Sequence, residues 1–179
     1  MNYEIFTDGS TFNNGNKKKI KYGGLGVYFP NDEVENISMN VENATNNICE
    51  LKACIVGINA LVNSPSFHDN DGNHGNHDNH DNHDKIIVYS DSEYVIKSIT
   101  SWIKGWEKNG WKTKSKKPVK NKELMIELNE LYKTYNIEFI HVRSHQLQPS
   151  DKNSKEYKLW YGNYNADKLA TQGSVSVFK

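Results

Sequence analysis

The chain has 179 residues, a quarter of them charged, and its 22 basic side chains balance its 22 acidic ones. That length suits a single domain over residues 1–179 with a sizeable core. No run of eighteen apolar residues is present, so no membrane span is expected. The start, MNYEIFTDGS, lacks a basic region followed by an apolar one, so no secretory signal is expected and the protein reads as intracellular, cytoplasmic or nuclear. Its two cysteines, Cys49 and Cys54, are too few for a disulfide framework and fit a reducing setting.

The zero balance hides a segregation. Eight lysines and one acid, Glu107, lie between Lys104 and Lys122, while residues 68–84 carry only negative charge at neutral pH. A basic patch on a neutral protein points to a polyanion such as nucleic acid, or else to a solvated lysine-rich face.

In chain order, NYEIFT (2–7) alternates as a strand does and ends at the turn signal Asp8-Gly9-Ser10. Residues 20–29 and 33–41 read as a strand pair joined by the turn PND. Residues 45–62, TNNICELKACIVGINALV, read as a helix on the stripe Ile48, Leu51, Ile55, Ile58 and Val62, with Asn46 or Asn47 as N-cap and Glu50 in the first turn. Residues 64–84 form a Gly-, Asn-, Asp- and His-rich loop insertion. KIIVYS (85–90) is a buried central strand with Asp91 at its end. A helix follows, broken near Gly105 and Gly110, then an amphipathic helix through Leu124, Leu128, Leu131 and Tyr135. Strand 137–142, a long polar loop and a short terminal helix, NADKLATQG, complete the chain. The order β-β-β-α-β-α-α-β-α implies an α/β fold with a mixed five-stranded sheet flanked by helices.

Four acids attract notice by position. Asp8 and Asp91 end strands, where chemistry collects in open α/β sheets. Glu50 lies on the first helix and Asp167 on the last. Each has an ordinary explanation alone, as a turn residue or a helix-dipole partner. Brought together they would repel by about 4 kcal/mol per pair at ~4 Å and an effective dielectric near 20. A fold tolerates that only with counter-ions, and hard oxygen ligands select Mg²⁺ or Mn²⁺. Two such ions can activate water and stabilise the leaving oxygen of a phosphodiester.

TDGS, ATNNICELKA, YSDSEYVIKSI, WIKGWEKNGWKTKSKKPVKNKEL, HVRSH and GNYNADKLA occur in that order. Over nearly the whole chain this resembles type 1 ribonuclease H. The resemblance implies the ribonuclease H-like fold and endonucleolytic cleavage of the RNA strand of RNA–DNA hybrids, leaving 5′-phosphate and 3′-hydroxyl ends. It implies Asp8, Glu50, Asp91 and Asp167 as ligands of two Mg²⁺ ions, with Mn²⁺ an alternative. His145 would sit on a mobile loop and assist proton transfer or product release, a task suited to imidazole. Asn46 and Asn47 would contact the hybrid minor groove, where the 2′-hydroxyl marks RNA. Thr45 and Asn121 would hold a DNA phosphate. Trp102 and Trp106 would line the DNA channel, although their spacing of four also fits helix core. Lys112, Lys114, Lys116 and Lys117 would form a basic protrusion whose phosphate contacts supply affinity but little sequence preference. A monomer is expected.

Two features depart from the family pattern. Ser144 stands where many members have Gly before the histidine, and the stretch 146–162 between His145 and Asp167 is long. The chain also begins at the first strand, without the separate hybrid-binding module of some relatives. Competing readings are a catalytically silent binding module, which would lack a carboxylate; an integrase or resolvase, against which the protrusion and TNN speak; and a metal-buffering protein acting through the His-rich loop.

That loop, HDNDGNHGNHDNHDNHD (68–84), holds five of the seven histidines and looks like a metal site. Its histidines 74, 77, 80 and 83 recur every three residues in an Asn/Asp/Gly background, as in expanded low-complexity sequence. A helix of about 16 residues runs ~24 Å away from Glu50 and a strand of about six returns ~20 Å to Asp91. The loop is therefore expected at the far end of the sheet from the acids.

Overall fold

The computed structural model describes residues 1–12, 22–67 and 84–176. Five strands, β1 (Asn2–Thr11), β2 (Tyr22–Tyr28), β3 (Ile37–Glu42), β4 (Lys85–Ser90) and β5 (Ile137–His141), form one sheet in the order β3-β2-β1-β4-β5. The two hairpin pairings, β1 with β2 and β2 with β3, are antiparallel, and β1 with β4 and β4 with β5 are parallel. The expected mixed sheet and element order are both present.

Alternation along β1 divides the molecule into two layers. Tyr3 and Ile5 join the main core with Leu25, Val27 and the buried face of α1 (Asn46–Val62), including Leu51, Ile58 and Leu61. Helix α4 (Lys122–Thr134) closes that layer with Met125 and Leu128. On the other face Phe6 packs with Tyr89, Val142 and Ala166 of α5 (Lys155–Val175). Burial of aliphatic and aromatic groups on both faces supplies the main stabilisation.

Several boundaries differ from the sequence reading. Strand β1 does not stop at Asp8 but runs to Thr11, because antiparallel pairing continues from Asp8 against Gly26 to Thr11 against Gly23. Strand β3 begins at Ile37 rather than 33. Thr45, not Asn46 or Asn47, caps α1: its backbone is extended and its hydroxyl accepts from the Ile48 N–H at 3.3 Å. Glu50 consequently falls in the second turn. The helix after β4 is not broken at Gly105. It runs as α2 (Glu93–Lys97), a π-helical segment (Ser98–Trp102) and α3 (Ile103–Lys108), and ends beside Gly110, whose φ is +71°.

The largest difference is α5, which is not a short terminal helix. It starts at Lys155, capped by the Ser154 hydroxyl on the Tyr157 N–H at 3.1 Å, so half of the supposed long loop is helix. Its inward stripe is small: Gly162, Ala166, Ala170 and Gly173. These meet glycines in β2. A Cβ on Gly26 would lie 2.1 Å from the Ala166 carbonyl oxygen, and one on Gly24 2.1 Å from that of Ala170. Helix and sheet backbones therefore touch, a contact that no large apolar residue advertises in the sequence.

Both cysteines are buried and free, and among the described residues no helix is long and apolar enough to cross a membrane. The metal-like stretch lies outside the described residues from 68 to 83. Its flanks are described: the Tyr3 hydroxyl donates to the Ser66 carbonyl at 2.8 Å, and Asp84 pairs with the Met1 ammonium. Both flanks thus meet the start of β1, roughly 16 Å along the strand from Asp8.

Candidate active site

The parallel pairing of β1 with β4 ends at Thr7 opposite Ser90, and Asp8 and Asp91 are the next residues on each strand. Glu50 approaches from α1 because Gly9 lets the helix touch the strand: a Cβ there would sit 2.4 Å from the Glu50 backbone nitrogen. One carboxylate oxygen from each of Asp8, Glu50 and Asp91 lies within 4.8 Å of the others. Asp8 and Glu50 are buried, 5% and 8% exposed. Asp167, exposed on α5, lies outside that trio but near enough for its charge to act on both Asp8 and Asp91.

The electrostatics are those of an uncompensated acidic cluster. Burial, then the charges of Asp91 and Asp167, push the Asp8 carboxyl up to about 8, against a lowering hydrogen bond from the Gly9 backbone. Burial, then the charges of Asp8 and Asp91, push Glu50 up to about 10. Asp91 is raised by burial and by Asp167, offset in part by His145 and His141. The Oε2 atom of Glu50 is buried without a hydrogen-bond partner. Hard oxygen donors, crowded charge and an orphaned acceptor together fit a divalent cation, whose positive charge would favour the ionised carboxylates against both burial and mutual repulsion.

Beside the acids, Asp91 and Asp167 line a cavity of about 90 Å³ with Arg143, His145, Trp160 and Tyr164 among its other walls. His145 is exposed and has φ +52°, whereas Ser144 is not in the left-handed region, so serine there carries no backbone strain. The indole N–H of Trp160 donates to the Gln146 carbonyl at 3.1 Å, tying the histidine loop to α5. Trp160 is not among the residues expected from sequence, because the expected terminal helix begins at Asn165 and the helix itself at Lys155. The distance of seven residues from Trp160 to Asp167, two helical turns, was the available signal.

The other expected contact residues form a surface on the α1 side of the sheet. Thr45, Asn46 and Asn47 are exposed at the start of α1, and Asn46 accepts a hydrogen bond from Thr11, a residue the sequence reading passed over. Asn121, at φ +56°, donates to the Tyr94 hydroxyl at 3.2 Å and so links α4 to α2. Trp102 is 42% exposed and its ring lies 5.8 Å from that of Trp106, which in turn lies 6.2 Å from Trp111. Lys122 sits over the Trp111 ring at 5.8 Å. Trp106 and Trp111 pack on the core while Trp102 reaches solvent, so the spacing of four places one of the pair inward and one outward. Lys112, Lys114, Lys116 and Lys117 are exposed on a loop closed by the Val119 N–H to Trp111 carbonyl hydrogen bond at 3.0 Å. None of the four forms an ion pair among the described residues.

Fold and site together define a class: α/β proteins with a buried carboxylate cluster, fit for a divalent cation, beyond the ends of parallel strands. The RNase H family model matches residues 1–175. The chain is 35% identical over 169 residues to the ribonuclease H of Clostridium botulinum, covering 94% of this chain and 92% of that one. It is 33% identical over 172 residues to the ribonuclease H of Schizosaccharomyces pombe, covering 95% of this chain but only 52% of the yeast protein, about half its length. An RNase H1 solved in complex with an RNA/DNA hybrid shares the fold, with a TM-score of 0.57 and 18% identity over 99% of both chains. The chain belongs to the RNase H family.

Proposed function

We propose that this protein is an endonuclease that hydrolyses the RNA strand of RNA–DNA hybrids with little sequence preference, leaving 5′-phosphate and 3′-hydroxyl ends. The observation that carries the reading is the approach of Asp8, Glu50 and Asp91 to within 4.8 Å, with Asp167 near enough for its charge to act on Asp8 and Asp91. The hybrid bound by the fold-sharing RNase H1 supports the substrate class.

Asp8, Glu50, Asp91 and Asp167 would hold two Mg²⁺ ions, or Mn²⁺ in their place. When bound, such ions polarise water and neutralise charge on the phosphate and on the departing oxygen. The chain's own groups do the rest. Thr45 and Asn121 hold a DNA phosphate. Asn46 and Asn47 face the minor groove, where an RNA 2′-hydroxyl offers a donor and an acceptor that DNA lacks. Trp102 and Trp106 flank the DNA strand, and the Lys112–Lys117 loop holds phosphates, giving affinity that falls with salt. Attack of water forms a P–O bond as the P–O3′ bond breaks, and a proton reaches the departing O3′. His145, at the cavity shared with Asp91 and Asp167, moves protons or aids product exit. All four acids come from one chain, consistent with a monomer, and the free cysteines fit a reducing, intracellular setting.

The test is cleavage of an end-labelled RNA–DNA hybrid in Mg²⁺, beside duplex RNA and duplex DNA of the same sequence. Cleavage of the RNA strand of the hybrid alone, abolished by EDTA, is expected. Equal cleavage of duplex RNA would refute the hybrid assignment.

A further inference from the structure

A second cleft lies across the acids from the surface assigned to the hybrid. Thr45–Asn47, Trp102 and the lysine loop all belong to the α1 layer, whereas this cleft lies on the other face of the sheet, under the first turns of α5. It encloses about 650 Å³. Its floor is aromatic: Phe6 and Tyr89 stack at 4.5 Å, and Tyr28 stands 6.3 Å from Phe6. Its roof is Tyr161, edge-on to Tyr28 at 6.0 Å, and Tyr157, stacked on Tyr161 at 5.9 Å.

Three lysines, Lys152, Lys155 and Lys158, line the cleft and are exposed. None has an ion-pair partner among the described residues. The one carboxylate in the lining, Glu4, accepts from the Tyr89 hydroxyl at 3.0 Å. The rings continue toward the acids. Tyr161 neighbours Trp160, Trp160 stacks on Tyr164 at 5.3 Å, and both of these line the cavity of Asp91 and Asp167. Tyr161 and Tyr164 are 42% and 50% exposed. Solvent-facing rings beside unpaired cations suit unpaired nucleotides, whose bases stack and whose phosphates carry charge. A paired duplex offers its bases only at groove edges and cannot use such a platform.

We infer that the cleft beneath the start of α5, with Tyr157, Tyr161, Lys155 and Lys158 as its contacts, binds an unpaired continuation of the RNA strand as it passes the four acids. This rests on the hybrid-cleaving reading above, which places the RNA strand at those acids. The occupant is RNA rather than DNA because that reading puts the RNA strand at the acids, toward which the rings of this cleft continue, and the DNA strand at Trp102 and Trp106. The protein would therefore favour hybrids bearing a single-stranded RNA tail over blunt ones.

The experiment compares KM for four hybrids with the same duplex: one blunt, two with an RNA tail at one end or the other, and one with a DNA tail. The wild type should show a KM about fivefold to tenfold lower for an RNA tail at one end, the scale of one base stacked on an aromatic ring. Tyr161→Ala, and independently the exposed pair Lys155→Ala with Lys158→Ala, should remove that advantage and leave blunt-hybrid cleavage unchanged. Two variants of different chemistry separate loss of the site from loss of folding, which blunt-hybrid activity also reports. An equal KM for blunt and tailed hybrids, an equal gain from a DNA tail, or an advantage that survives both variants would overturn the inference. Failure to cleave the blunt hybrid at all would instead refute the function proposed above.

Discussion

Asp8 and Asp91 are neighbours because they follow the last matched pair of two parallel strands, Thr7 on β1 and Ser90 on β4. Parallel register carries both chains past the same edge in step, so two acids 83 positions apart arrive side by side. Replacing either by Asn keeps the side-chain shape and removes the charge. Asp8→Asn or Asp91→Asn should reduce hybrid cleavage to roughly a thousandth or less, with an unchanged circular-dichroism spectrum. Near-normal turnover would show that these acids are not the site.

The same crowding predicts how stability responds to pH when divalent ions are removed. Asp8 and Glu50 have raised values in the folded protein, so the fold binds more protons than the unfolded chain above the ordinary carboxylate range near 4. Their contribution is fully present below that range and is lost as pH rises toward about 8 and beyond. In EDTA the melting temperature should fall between pH 5 and pH 8, and Mg²⁺ should restore more of it at pH 8 than at pH 5. At pH 8 in EDTA, Asp8→Asn should melt higher than the wild type by roughly 2–8 °C, or about 1–2 kcal/mol. A flat melting profile would contradict the buried, uncompensated cluster.

Helix α5 carries Asp167, and its position depends on backbone-to-backbone packing with β2. Gly26→Ala would place a methyl 2.1 Å from the Ala166 carbonyl oxygen, one residue before that acid. A clash with the α5 backbone at both Ala166 and Ala170 should cost about 3 kcal/mol or more, or roughly 6–12 °C in melting temperature. Activity at a temperature where the variant is still folded should fall too. Calorimetry and assay together check both.

Trp160 holds the carbonyl next to His145 through a single hydrogen bond of 3.1 Å. Trp160→Phe keeps an aromatic ring in the cavity wall and removes that donor. A hydrogen bond of this kind is worth about 0.5–1.5 kcal/mol, so kcat should fall about threefold to tenfold with KM nearly constant. A change in KM alone would assign Trp160 to substrate binding instead.

The exposed lysines of the 112–117 loop set salt sensitivity. Each phosphate contact contributes about 0.7–0.9 to the slope of log affinity against log salt. Lys114→Ala combined with Lys117→Ala should flatten that slope for hybrid binding by about 1.5, without altering which strand is cut. Fluorescence anisotropy across a salt series measures it.

Chemistry was legible in the sequence wherever it was written in short ordered words. TDGS, ICELKA, YSDSEY and GNYNADKLA name the four acids, and apolar runs of strand length mark the sheet edge on which they meet. The same reading shortens α5 to NADKLATQG and misses its first turns, because its buried stripe is Gly162, Ala166, Ala170 and Gly173 and carries no large apolar signal. With its first turns went Trp160 and the aromatic cleft. It also credited the helix cap to Asn46 or Asn47, when only backbone conformation distinguishes Thr45.

What the sequence determined alone was the residue types, the order of elements and therefore the family. Hydrophobic period and motif order are local, one-dimensional properties. The tertiary structure decided distances: that Gly9 brings Glu50 against Asp8, that Asp167 reaches them from the opposite face, and that α5 lays a second aromatic surface beside the acids. Those facts depend on where backbones touch, and glycine, which permits the touch, gives no period for a sequence to display.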